Sequence, residues 1–134
     1  MPLSKGLRVL LVANTDWYLA NFRFELANAL RDSGAEVNCI APEGRHLSWL
    51  SEQGFKTHAL DLGPDSYSFT ENRRAYKHLV SLYQQIKPDL AHHFTPRCVV
   101  LGSMAARKNK VPCVVNALTG LGHIFTSIGL KSRL

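Results

Sequence analysis

Residues 8–31, RVLLVANTDWYLANFRFELANALR, decide the fold. The run opens with Val9 to Ala13, short, apolar and β-branched enough for a buried strand. Asn14-Thr15-Asp16 follows as a polar loop, and a helical pattern then puts Phe22, Leu26, Ala29 and Leu30 on one apolar face. Gly34 stands just past the last apolar position, where a helix end favours glycine. Strand, loop and helix in that order make the first half of a βαβ unit. In an open parallel sheet, ligands lie outside the carboxyl ends of the strands. The loop from Asn14 to Asn21 is therefore expected to form one wall of a site.

Working outward, Val37 to Ala41 reads as a second strand ending at the turn Pro42-Glu43-Gly44. Arg45 to Gln53 is a short helix with Leu47 and Leu50 inward, and Phe55 to Leu60 alternates as a strand does. Asp61 to Ser68, containing Gly63-Pro64-Asp65, is the longest loop. Asn72 to Lys87 is the clearest helix, with Ala75, Leu79, Leu82, Tyr83 and Ile86 on one side and Pro88 as its stop. Leu90 to Phe94 is a fourth strand, Pro96 to Lys110 a helix begun by proline, and Pro112 to Ala117 a fifth strand. Strands alternating with helices imply an α/β, Rossmann-like, doubly wound and mostly parallel sheet of about five or more strands, with helices on both faces.

At 134 residues the chain reads as a single α/β domain, residues 1–134. Its 46% hydrophobic and 19% charged residues are ordinary for a globular protein, and no apolar run approaches the roughly 20 residues of a membrane span. Cys39, Cys98 and Cys113 make an odd count and read as small buried residues of a reducing compartment. The net charge of +6 admits nucleic acid, an anionic membrane or a phosphorylated small molecule. No nucleic-acid reading motif accompanies it. Arg73, Arg74 and Lys77 share the outer side of one helix, a solvated face or a contact for an anionic membrane surface.

Polar residues gather after successive strands: Asn14, Thr15 and Asp16, then Glu43, then His92, His93 and Thr95, then Asn116, Thr119 and Gly120. That rim is where a polar ligand would lie. His92 and His93 are adjacent on a strand and face opposite sides, so one of them at most reaches a given ligand. Such a histidine either hydrogen-bonds a hydroxyl near a reacting oxygen or is a core residue satisfied internally. Adjacent histidines do not chelate readily and no CxxC or HxxxH spacing is present, so no metal is expected. The first loop lacks GxGxxG and GxxxxGK, which removes the dinucleotide and P-loop readings. A thiol nucleophile at Cys98 has no evident partner acid.

The stretches VANTDWYLANFRFELANALRDSGAEVNCIAP, KPDLAHHFTPR and GSMAARKNKVPCVVNALTGLGHIF carry a resemblance that covers residues 7–125. The chain resembles the N-terminal half of GT-B glycosyltransferases of the family 4 type, particularly bacterial enzymes that extend lipid-linked or surface polysaccharides. The resemblance implies an acceptor-binding domain in a retaining enzyme that moves a sugar from a nucleotide sugar to a lipid-linked or surface glycan precursor. No cofactor is implied beyond the nucleotide-sugar co-substrate, which a C-terminal donor domain would hold in cis or in trans. Carried over by position, Asn14, Thr15, Asp16, Asn21 and Arg23 would line the acceptor side. His92 or His93 would sit near the reacting centre with Thr95 and Arg97, and Thr119, Gly120 and Gly122 would lie near the cleft floor. The first loop departs from relatives in having no glycine, and His-His-Phe replaces His-x-His. The implied setting is cytoplasmic and peripheral on the inner membrane face, with residues 1–134 inactive alone. A noncatalytic subunit that recruits a separate donor-binding protein to the membrane is the alternative. The final residues, Ser127 to Leu134, show no helix cap or return strand, which suggests a truncated two-domain enzyme.

Overall fold

The computed structural model describes residues 6–118. Five parallel strands, β1 (Arg8–Val12), β2 (Glu36–Ala41), β3 (Lys56–Ala59), β4 (Leu90–Phe94) and β5 (Cys113–Ala117), form one sheet in the order β3-β2-β1-β4-β5. The helices are α1 (Asp16–Phe22), α2 (Phe24–Asp32), α3 (Arg45–Glu52), α4 (Phe69–Ile86) and α5 (Pro96–Lys108). β1 is central and its apolar residues are buried on both faces, as expected of a strand in a doubly covered parallel sheet. Val9, Leu11 and Ala13 pack with Leu19, Ala27, Leu47 and Leu50 of α1, α2 and α3. Leu10 and Val12 pack on the other side with α4 and α5, through Leu79, Leu82, Tyr83, Leu101 and Ala105. The doubly wound sheet read from the sequence is the observed one.

Several boundaries differ for local reasons. The single helix expected after β1 is two, broken at Arg23, whose φ of −124° and ψ of 4° leave the helical region. The break turns the buried face. Leu19 and Ala27 go inward, whereas Phe22 is 58% exposed and Ala29 faces solvent. The stretch expected as a loop from Asn14 to Asn21 is correspondingly short, because α1 already begins at Asp16. α4 starts at Phe69, before the expected Asn72, because the Ser68 hydroxyl accepts from the Glu71 N–H at 3.2 Å and caps it. Cys39 and Cys98 are buried, but Cys113 is exposed on the edge strand, contrary to the expectation that all three lie inside. No helix among the described residues is long and apolar enough to cross a membrane.

Candidate functional site

The chain builds β1, β2 and β3 in one direction from the centre and then β4 and β5 in the other. The order therefore reverses between β1 and β4, and a crevice opens above their carboxyl ends. The residues after those two strands, Asn14 and Thr95, flank it. Register places Val12 beside His93 and His93 beside Asn116, so the ends of β1, β4 and β5 lie side by side.

Two depressions of about 640 Å³ each occupy this rim. The first is the more polar, with Asn14, Glu43, Asp61 and Ser66 around Pro42, Leu60 and Leu62. The second passes from Thr95 and Asn72 to the apolar Tyr67, Val100 and Leu101. Asn14, Ser66 and Arg97 border both, so the two form one trough.

Arg97, in the first turn of α5, holds the trough's outer wall. Its Nε donates to Asn72 Oδ1 and its Nη1 to Gly63 O, each at 2.8 Å, and its Nη2 to Leu62 O. The Asn72 amide in turn donates to Ser66 O at 2.8 Å. Gly63 allows the fold of this loop: its φ is +71°, and a Cβ there would stand 2.7 Å from the Glu71 carboxyl carbon. Arg97 lines the trough while its guanidinium is engaged with the loop backbone.

Thr95 joins β4 to α5 at φ 73° and ψ 146°, a backbone conformation that a β-branched residue rarely adopts. The extended ψ is what the following Pro96 demands. Its hydroxyl is buried and has no hydrogen-bond partner among the described residues.

The two histidines do face opposite sides. His93 has no exposed surface, and its Nδ1 lies 2.8 Å from Asn116 Oδ1 and its Nε2 2.7 Å from the Tyr83 hydroxyl. A neutral ring protonated on Nδ1 satisfies both: it donates to Asn116 and accepts from Tyr83. The Asn116 amide continues to Ser103 Oγ at 2.9 Å. A Cβ on Gly102 would meet the His93 ring at 2.3 Å, so glycine is what lets α5 close over it. His93 is thus a core residue with both nitrogens occupied, and it does not open onto the trough.

His92 is half-buried on the other face, with its ring 4.1 Å from that of Phe94. The Arg23 guanidinium lies over Phe94 at 4.5 Å and donates to the Tyr18 hydroxyl at 2.8 Å. Arg23 Nε is buried without a partner, and no carboxylate pairs with it among the described residues. Burial, and then the Arg23 charge, lowers the His92 pKa, while burial lowers that of His93 against the opposing effect of its hydrogen bond to Asn116 Oδ1. Burial pushes the Cys98 thiol up to about 11, which leaves no thiolate at neutral pH.

Other residues singled out from the sequence have local duties. The Thr15 hydroxyl caps α1 by accepting from the Tyr18 N–H at 3.1 Å. Asp16 Oδ2 accepts from the His46 and Leu47 N–H groups at 2.9 and 3.0 Å and so caps α3 from a distance in sequence. Asn21 donates back to Trp17 O at 2.9 Å within α1. Of that first group, Asn14 is the residue that borders the trough. Asp61, Ser66 and Asn72 border it too and were not among the residues expected from the sequence. Thr119, Gly120 and Gly122 lie outside the described residues. Among the described residues, no three His, Cys, Asp or Glu side chains come together as a metal site.

The sequence pattern of the family described as "Glycosyl transferase 4-like" matches residues 8–133. No curated protein sequence matches. Among solved structures, MurG of Acinetobacter baumannii superposes with a TM-score of 0.63 at 18% identity, over 82% of this chain and 35% of that one. A glycosyltransferase from Rickettsia africae gives 0.64 at 15% identity, over 96% and 35%. The C-terminal domain of a hydrogenase from Pyrococcus furiosus gives 0.61 at 14% identity, over 87% and 95%. The chain spans about a third of the length of the first two proteins. At these identities the superpositions show a shared fold, which the hydrogenase domain has as well.

Proposed function

Because the chain belongs to the glycosyl transferase 4-like family, we propose that its trough is the acceptor-binding half of a retaining glycosyltransferase cleft. The observation that carries this reading is the position of the trough, at the reversal of strand order above β1 and β4. Its lining suits a sugar, whose hydroxyls both donate and accept. Glu43 and Asp61 can accept, the Asn14 amide can do either, and so can the Ser66 hydroxyl.

The acceptor is a lipid-linked or surface glycan precursor of polysaccharide biosynthesis. The nucleotide sugar is gripped mainly by a C-terminal donor domain, in cis or in trans. In the transfer, the bond from the sugar's anomeric carbon to the nucleotide diphosphate breaks and one to the acceptor oxygen forms, with that hydroxyl's proton leaving. His92, neutral and solvent-accessible beside Arg23, is the histidine able to take a hydrogen bond or proton from a hydroxyl. His93 acts through the packing of β4, β5, α4 and α5. Arg73, Arg74 and Lys77, all exposed on α4, face an anionic membrane surface on the cytoplasmic side.

Sugar transfer tests the reading. Residues 1–134 are incubated with UDP-glucose, UDP-N-acetylglucosamine or GDP-mannose and a bacterial lipid extract as acceptor. No transfer is expected from the chain alone; robust turnover without a second domain would contradict a half-cleft.

A further inference from the structure

We propose that the pocket between α3 and the edge strand β3 is a second sugar subsite, which takes an uncharged ring next to the one that reacts, so that the acceptor is a disaccharide or longer. The proposal rests on the acceptor reading of the trough and adds the length and charge of the saccharide. Alternation along β3 puts Thr57 and Ala59 on the face that α3 covers, since Thr57 lies beside Cys39 and Ala59 beside Ala41. Lys56 and His58 go to the other face, where they meet Glu36 and Asn38. On α3, Leu47 turns into the core, and Ser48 and Ser51, three residues apart, stand exposed on one side of it. With Glu43 these residues line a pocket of about 350 Å³, within the range of small-ligand sites.

Place and chemistry both point to a saccharide. Glu43 and Ala59 border this pocket and the trough's more polar depression alike, so one runs into the other. From β1, where the strand order reverses, β3 is two strand spacings away, about 10 Å. That is farther than one pyranose ring reaches, and a linked second ring covers it. The lining offers three hydroxyls that each donate and accept, and one carboxylate that accepts. Leu47 and Ala59 supply apolar surface for the C–H face of a ring. Glu43 is the one charged residue of the lining and is not ion-paired among the described residues. A phosphate or a uronate ring would stand against that carboxylate with no lining cation to offset it. A neutral ring instead donates hydrogen bonds to it.

NMR titration of the isotopically labelled chain tests the subsite. Octyl glucoside and octyl N-acetylglucosaminide are compared with octyl maltoside, octyl cellobioside and octyl N,N′-diacetylchitobioside, all below micellar concentration. The monosaccharides should shift the Asn14 and Ser66 amides alone. At least one disaccharide should shift Ser48, Ser51 and Thr57 as well and bind about ten-fold tighter, the worth of two hydrogen bonds. Ser48→Ala with Ser51→Ala, at exposed helix positions that suit alanine, should remove that gain and leave the monosaccharides as they were. The same disaccharide with glucuronate as the ring that carries the octyl group should show no gain, and Glu43→Gln should restore it. Disaccharides that shift Asn14 and Ser66 but leave Ser48, Ser51 and Thr57 unmoved would overturn the subsite and leave the acceptor reading of the trough standing. A glucuronate that gains as much as the neutral ring would overturn the preference for an uncharged ring. Shifts at neither group of amides, with every glycoside, would overturn the acceptor reading and the subsite together.

Discussion

His93 is held between a phenol and an amide, and the energetic consequence is a dependence of stability on pH. Burial lowers the folded-state pKa of His93, His92 and His58, the last with help from Lys56. A histidine kept neutral by folding binds fewer protons in the native chain than in the unfolded one, whose imidazoles titrate near about 6.5. Stability is then fully present above that value and is lost as pH falls below it, toward the lowered native values. Urea unfolding midpoints should be flat from about pH 7 to 8 and fall steadily below about pH 6.5. A midpoint that rises on acidification through this window would contradict the buried neutral imidazoles. The sequence showed that two adjacent histidines on a strand must part to opposite faces. It did not show which one is sealed, because that depends on Tyr83 and Asn116, 10 and 23 residues away.

At the scale of elements, α5 and the loop between β3 and α4 act as one unit, joined by Arg97. Its three bonds reach residues 25 to 35 positions away in sequence. Arg97→Met should cost about 1–3 kcal/mol in urea unfolding and open the 61–68 loop to limited proteolysis. Arg97→Lys should recover part of the loss, since an ammonium cannot fork to two carbonyls as a guanidinium does. Unchanged stability and protease resistance would show that the loop holds itself. This long-range strap is why Asp61, Ser66 and Asn72 escaped a local reading, although their loop was evident as the longest in the chain. Strands and helices were legible because period and end signals are local. The break at Arg23 was not. At the break the Arg23 guanidinium stacks on Phe94 of β4, a tertiary contact that no local signal in residues 16–32 carries.

Across the whole molecule, the convergence of strand ends follows from alternation alone, since parallel strands joined by helices must present their carboxyl ends on one side. Asn14 and Thr95 both border the second depression on that side. What composition could not supply is the gradient along the trough, from carboxylates and amides to the apolar Tyr67, Val100 and Leu101. That gradient arises only once α4 and α5 pack together. The central claim is that this rim takes an acceptor saccharide and leaves the nucleotide sugar to another domain. It is tested most directly by amide-resolved NMR titration of the isotopically labelled chain. The probes are octyl glucoside, octyl mannoside and octyl N-acetylglucosaminide below micellar concentration, and separately UDP-glucose. The expected result is saturable shifts at Asn14, Ser66 and Arg97 with at least one octyl glycoside and none there with UDP-glucose. Saturation of the same amides by UDP-glucose, with every octyl glycoside inert, would contradict it.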